Sequence, residues 1–178
     1  MSGADLFSLY RRSTQSVFRL ETLQRYAVPA ESAQLRAFTE GRPLPPDKEV
    51  AKSMEVIRAL TAAGTRVYRV HVIDLPLTAY LRYEMAAYAE NIQAGEEVSI
   101  AARSWHRDLA RLTEDFVLFD ADTARPSVVW MRYDQQGQII SRDYSDNPAN
   151  VARARRDRDL AVAHAVPLSD FTTLADTG

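Results

Sequence analysis

The chain reads as an α/β protein, with a mixed sheet of five or six strands and helices on both faces. Three observations carry this reading. Short apolar runs, Phe116–Phe119 and Val128–Met131, sit between acidic or turn residues, as strands buried on both faces do. Segments with apolar residues at helical spacing alternate with the strand-like runs, the strongest being Leu77–Gly95. The strand–helix–strand succession between Leu60 and Ile100 is the pattern of a parallel βαβ unit with a right-handed crossover.

In chain order, Ala4–Arg12 reads as a short helix through the spacing of Leu6, Leu9 and Tyr10, and Ser16–Leu23 has strand character around Val17, Phe18 and Leu20. Pro29 precedes a helix that ends near Gly41. Three prolines in Arg42–Asp47 exclude regular structure there, so a boundary is expected between a small unit, residues 1–45, and a main domain, 46–178. Asp47 can cap a helix with Val50, Met54, Ile57 and Leu60 on one face. The segment Thr65–Asp74 is a β-branched strand broken by Pro76. The helix after it buries Leu77, Leu81, Met85, Tyr88 and Ile92, and Glu96–Ala102 is a further strand. A brief helix over Ser104–Arg111 carries Trp105. Three strands follow, joined through Pro126 and a turn with Gly137, and they are expected to form the middle of the sheet. Asp146 or Asn147 caps a final helix that stops at Pro167, and the tail beyond is expected to fray.

Composition narrows the function classes. The chain has no cysteine, which excludes disulfides, thiolate metal sites and a cysteine nucleophile. No apolar run approaches the ~20 residues of a membrane span and no leader is evident, so a cytoplasmic location without a membrane partner is expected. Arginine outnumbers lysine 20 to 2, which suggests a GC-rich bacterial coding sequence. Residues 1–70 hold 11 basic and 7 acidic groups, against 7 and 13 in residues 71–150. An acidic sheet region argues against direct nucleic-acid binding. The arginines at 153, 155, 156 and 158 are interleaved with Asp157 and Asp159 and read as a solvated helix face.

The order of elements resembles one half of a phospholipase D-like domain. Its motif H-x-K-x-x-x-x-D, laid on this chain, falls on Thr113, Asp115 and Asp120. Threonine in place of the nucleophilic histidine, and aspartate in place of the phosphate-neutralising lysine, imply a half-domain without catalytic residues. A closer resemblance covers roughly Phe18–Leu168. The stretches VFRLETLQRYAVP, RVHVIDLPLTAYLRYE, EDFVLFD, MRYDQQG and RDLAVAHAVPL resemble an uncharacterised actinobacterial domain family, often encoded beside helix-turn-helix regulators. That resemblance implies a regulatory protein with such a regulator as partner.

The histidines at 71, 106 and 164 lack metal-ligand spacing, and neither a P-loop nor a G-x-G-x-x-G or G-x-S-x-G motif occurs, so neither metal nor cofactor is expected. The polar cluster Arg69, His71, Asp74, Arg82, Tyr83 and Glu84 stands out, because Arg69 and His71 share a strand face with Val67 and Ile73. It reads either as a pocket at the strand's C-terminal end or as an internal salt bridge of Arg69 with Glu84. Tyr80, Tyr83 and Tyr88 can line a pocket or pack in the core. Trp105 is a candidate protein anchor, and Asp120 marks the degenerate motif. The chain itself has no convincing helix-turn-helix. Three functions are therefore expected in competition: a non-catalytic regulator binding a protein or a small signal, a diverged hydrolase or nuclease (a possible toxin) using the 69–84 cluster, or a homodimer joined through the hairpin edge at 138–144.

Overall fold

The computed structural model describes residues 6–28 and 31–175, the last four through their backbone. The expected helix start at Ala4, the residue Pro29 and the end of the tail lie outside the described residues. The elements are α1 (Leu6–Arg12), β1 (Ser16–Glu21), α2 (Ser32–Thr39), α3 (Lys48–Ala62), β2 (Arg66–Ile73), α4 (Ala79–Gln93) and β3 (Glu97–Ala102), then β4 (Asp115–Phe119), β5 (Ser127–Tyr133), β6 (Ile139–Ser145), α5 (Pro148–Ala163), β7 (Val166–Pro167) and α6 (Leu168–Ala175). The expected helix around Trp105 is two 3-10 turns, Arg103–Trp105 and Arg107–Arg111.

The sheet has seven strands in the order β6-β5-β4-β1-β2-β3-β7. The strand beyond the expected five or six is β7, two residues paired antiparallel to β3. Its neighbour α6 is a helix that the sequence pattern did not mark. β1 runs parallel to β2, and β2 parallel to β3, while β1–β4, β4–β5 and β5–β6 are antiparallel. The centre is β1, not the β4–β6 group, which builds one flank with β6 at the edge. The first 45 residues thus supply a strand hydrogen-bonded on both sides within the sheet, ahead of the extended proline segment that leads to α3.

Strand alternation sorts the core into two layers. Phe18, Leu20, Val70, Val72, Phe116, Leu118 and Trp130 face α5, which contributes Val151, Ala154 and Ala161. The opposite face sets Val17, Val67, Val117, Phe119 and Val129 against α1 and α3, with Met54, Ile57 and Leu60 inserted from α3. Asp47 caps α3 through the N–H groups of Glu49 and Val50, and Asn147 caps α5 through that of Ala149. On α4 the buried residues are Tyr80, Leu81, Tyr83, Glu84 and Tyr88, whereas Ile92 is exposed. The expected stripe is therefore buried through Leu81 and Tyr88, with Leu77 and Met85 packed against them, and a second buried face carries Tyr80, Tyr83 and Glu84.

Candidate functional site

Toward the C-terminal ends of β1 and β2, the face under α4 changes from apolar to charged. In sequence this is the step from Val17 to Arg19 and Glu21, and from Val67 to Arg69 and His71. Parallel pairing sets Arg19 beside Arg69 and Glu21 beside His71. Arg69 is buried and held from two sides, with Nε 2.7 Å from Glu96 Oε1, Nη2 3.0 Å from Glu96 Oε2 and Nη1 3.0 Å from Glu21 Oε2. The expected partner Glu84 is not used. Glu96 prevails because it immediately precedes β3, whose register brings it next to Arg69. Glu21 also meets Arg19 Nη2 at 2.7 Å and accepts from the Tyr88 hydroxyl at 2.8 Å. Burial pushes the Glu21 carboxyl up, but Arg19 and Arg69 override it and hold it well below the usual carboxylate range.

His71 completes this layer. Its Nε2 lies 2.8 Å from the Leu23 carbonyl, which can only accept, so Nε2 carries a proton. Its Nδ1 is 2.9 Å from the Tyr88 hydroxyl. Asp115 plays a parallel part on β4, accepting from Thr22 N (2.8 Å), Thr22 Oγ1 (2.7 Å) and Tyr26 Oη (2.6 Å). These bonds fix residues 22–26 as a wall above the sheet.

That wall, with α1, α2, α3, α4 and the β5–β6 hairpin, lines an open cavity of about 490 Å³. Arg19, Glu21 and Arg69 form its charged floor. Val50, Met54 and Ile57 of α3 make an apolar side, and Tyr26, Tyr80, Tyr83 and Tyr133 an aromatic one. The rings pack edge to face or tilted, with centroids 5.3 Å apart for Tyr26–Tyr133, 6.5 Å for Tyr26–Tyr80 and 6.0 Å for Tyr80–Tyr83. Arg19 keeps 28% of its side-chain surface open although its strand is the centre of the sheet. Its Nε is buried without a hydrogen-bond partner, one of only two such side-chain atoms among the described residues. A second charged corner joins Glu31, Tyr80 and Glu84. The Tyr80 hydroxyl is 2.8 Å from Glu84 Oε1 and 3.3 Å from Glu31 Oε2. Burial, and then the neighbouring Glu84 charge, push the Glu31 carboxyl up to about 7.

Of the candidate residues, Arg69, Tyr83 and Glu84 line this cavity, with Tyr80 and Tyr88 beside them. His71 lies beneath it, fully buried. Asp74 and Arg82 point to solvent, Asp74 meeting Arg103 at 3.5 Å. Trp105 is away from the cavity, exposed, with its ring 6.0 Å from that of Phe171. Asp120, at the far end of β4, accepts from the N–H groups of Thr14, Gln15 and Ser16 and has a φ of 47°, so it ties a loop to the sheet. Sequence reasoning missed Arg19, Glu21, Tyr26, Glu31 and Tyr133. The alternation of Arg19 and Glu21 with Phe18 and Leu20 was a legible signal, once β1 is taken as an inner strand.

Among the described residues no group of three His, Asp or Glu is placed to hold a metal ion, and no helix is long and apolar enough to cross a membrane. No curated protein matches the chain in sequence. One family model, described as a domain of unknown function (DUF6879), matches residues 4–173, nearly the whole chain, and the protein belongs to that family.

Proposed function

We propose that this protein is a non-catalytic, cytoplasmic signal-binding regulator of actinobacterial type that acts with a helix-turn-helix transcription regulator. The observation that carries the reading is the cavity with Arg19 in its floor. Its volume lies in the ~300–1,000 Å³ range of small-molecule sites, and it combines apolar and aromatic walls with a few convergent polar groups. It also sits at the C-terminal ends of parallel strands, the usual ligand position in open α/β sheets. A guanidinium donor buried without a partner costs free energy on the order of 1–3 kcal/mol unless an acceptor meets it.

The phospholipase D-like ancestry belongs to this proposal in its non-catalytic form. Thr113 is exposed, Asp115 is engaged with Thr22 and Tyr26, and Asp120 is engaged with the 14–16 backbone. The two aspartates are thus committed to structure, and Thr113 lacks the imidazole that would attack a phosphodiester. The partner surface we assign is the β6 edge, where Ile139 is exposed and Ile140 has 68% of its surface open. The same edge is where a homodimer would form.

A tagged pull-down from the native cytosol, with light scattering of the purified protein, tests the partnership. A stoichiometric helix-turn-helix protein in the eluate is expected, and it is lost in the Ile140→Asp variant. A clean protein without that partner rejects the regulatory reading. The alternative is a diverged hydrolase or nuclease using the 69–84 cluster, favoured by Arg69, Tyr83 and Glu84 lining one cavity with Glu31, whose burial-raised carboxyl suits a general acid. Turnover of phosphodiester or nucleotide substrates that vanishes in Glu31→Gln would establish it.

A further inference from the structure

We propose that this cavity takes an organic monocarboxylate, its carboxylate group seated on Arg19 beside Tyr133 and Arg142, and its apolar body lying against Val50, Met54 and Ile57. This deepens the signal-binding reading and rests on it.

Unmet donors are the first argument. Arg19 Nε is buried without an acceptor. Among the described residues, the one ion pair of Arg19 within 4.0 Å is with Glu21, which is divided between Arg19 and Arg69. Arg69 has Glu96 as well. The hydrogen bond of the Tyr133 hydroxyl goes to the Met131 sulfur at 3.4 Å, and a thioether is a weak acceptor. Arg142 is exposed, and among the described residues it has no ion pair within 4.0 Å.

The sheet gathers these groups. Arg19 is opposite Val117 and Arg142 is opposite Met131, and Val117, Met131 and Tyr133 belong to the core layer packed by α1 and α3. Arg19, Tyr133 and Arg142 all line the cavity. Burial pushes the Tyr133 hydroxyl up to about 12, and the charges of Arg19 and Arg142 both oppose that rise. Glu31 and Glu84 belong instead to the α4 side, where the Tyr80 hydroxyl joins them.

The form of the acceptor is the second argument. A carboxylate offers a guanidinium two oxygens in one plane, which makes a strong and directional pair. A neutral carbonyl would accept from the donors and leave the arginine charges unanswered. A phosphate dianion would set a double negative charge against Glu21, which already lies 2.7 Å from Arg19. One negative charge suits this corner. The third argument is the apolar side, since Val50, Met54 and Ile57 line the same space and an ion without a hydrocarbon body would leave them uncovered.

Titration calorimetry of the full chain at about pH 7 tests this with 3-phenylpropionate, its amide, phenethylamine and acetate. The expected result is that 3-phenylpropionate binds at least about tenfold tighter than each of the other three. Its advantage over the amide should disappear in Arg19→Gln and shrink about threefold in Arg142→Gln, each checked for folding by circular dichroism. Arg142 is on the exposed edge strand, outside the buried ion pairs, so its variant decides alone if Arg19→Gln does not fold. Equal or tighter binding of the amide or the amine overturns the carboxylate assignment and leaves the cavity reading standing. Acetate binding as tightly as 3-phenylpropionate overturns the placement of the apolar body. An unchanged preference in the folded variants overturns the seat at Arg19. Failure of all four probes to bind overturns both the carboxylate assignment and the cavity reading.

Discussion

Arg69 is where burial and charge are most tightly balanced. Three hydrogen bonds join it to two carboxylates that are themselves buried, so removing it leaves Glu96 without its charged partner and Glu21 with Arg19 alone. Breaking a buried pair of this kind costs about 3–5 kcal/mol, and Arg69→Met should lower stability by that amount in urea unfolding. Glu21 and Glu31 give opposite pH signatures. The Glu21 carboxyl is held below its ordinary value, so its contribution is complete above about 4.5 and is lost as pH falls below it. Glu31 is held above its ordinary value, so its effect is most favourable below about 4.5 and declines as pH rises through about 7. Glu31→Gln should therefore raise Tm over the wild type at about pH 8 and leave it unchanged near pH 5. A flat difference between those pH values in thermal scans would contradict this assignment. At this scale the sequence made Arg69, Tyr83 and Glu84 visible as polar residues on core faces. It concealed the partner of Arg69, because Glu84 and Glu96 were both available in number and only the β2–β3 register chooses between them.

Among the elements, the β5–β6 hairpin controls the cavity wall through its turn. Gly137 has a φ of 83°, and a Cβ there would lie 2.5 Å from the Arg25 carbonyl oxygen. Its own carbonyl accepts from the Ala27 N–H at 3.0 Å, which fastens the hairpin to the wall that carries Tyr26. Gly137→Ala should cost roughly 1–3 kcal/mol and speed hydrogen exchange at Ala27, while exchange in β1 stays slow. The turn itself was legible, since glycine after DQQ is placed for positive φ; its docking onto residues 25–27 was not, because such contacts have no periodicity. Asp120 behaves similarly at the end of β4. Three backbone N–H groups converge on its Oδ1 at 2.8–3.1 Å, so Asp120→Ala should destabilise the start of β1 by about 1–3 kcal/mol. The starts of α3 and α5 were legible, because Asp47 and Asn147, the latter offered beside Asp146, are caps whose chemistry is local.

For the molecule as a whole, the α/β class and the two helical layers follow from alternation and helical spacing, both of which survive folding unchanged. The place of β1 does not follow from either. A strand before a proline-rich segment reads as part of a small unit packed on the main domain, and β1 is the strand on which the parallel and antiparallel halves of the sheet meet. That position is what brings Arg19 and Glu21 under α4 and creates a charged floor in an apolar interior. The central claim is that the space above this floor is a ligand site, and it can be tested by filling the space. Ala87 lines the cavity from α4 and is only partly buried, so a tryptophan there fills the space from its margin. Native mass spectrometry of the protein taken from its native cells, beside Ala87→Trp prepared identically, is the most direct measurement. The account predicts a one-to-one small-molecule adduct on the wild type and none on the folded variant. An adduct carried equally by both proteins, or a wild type that no small molecule of its native cells stabilises against unfolding more than the variant, would contradict it.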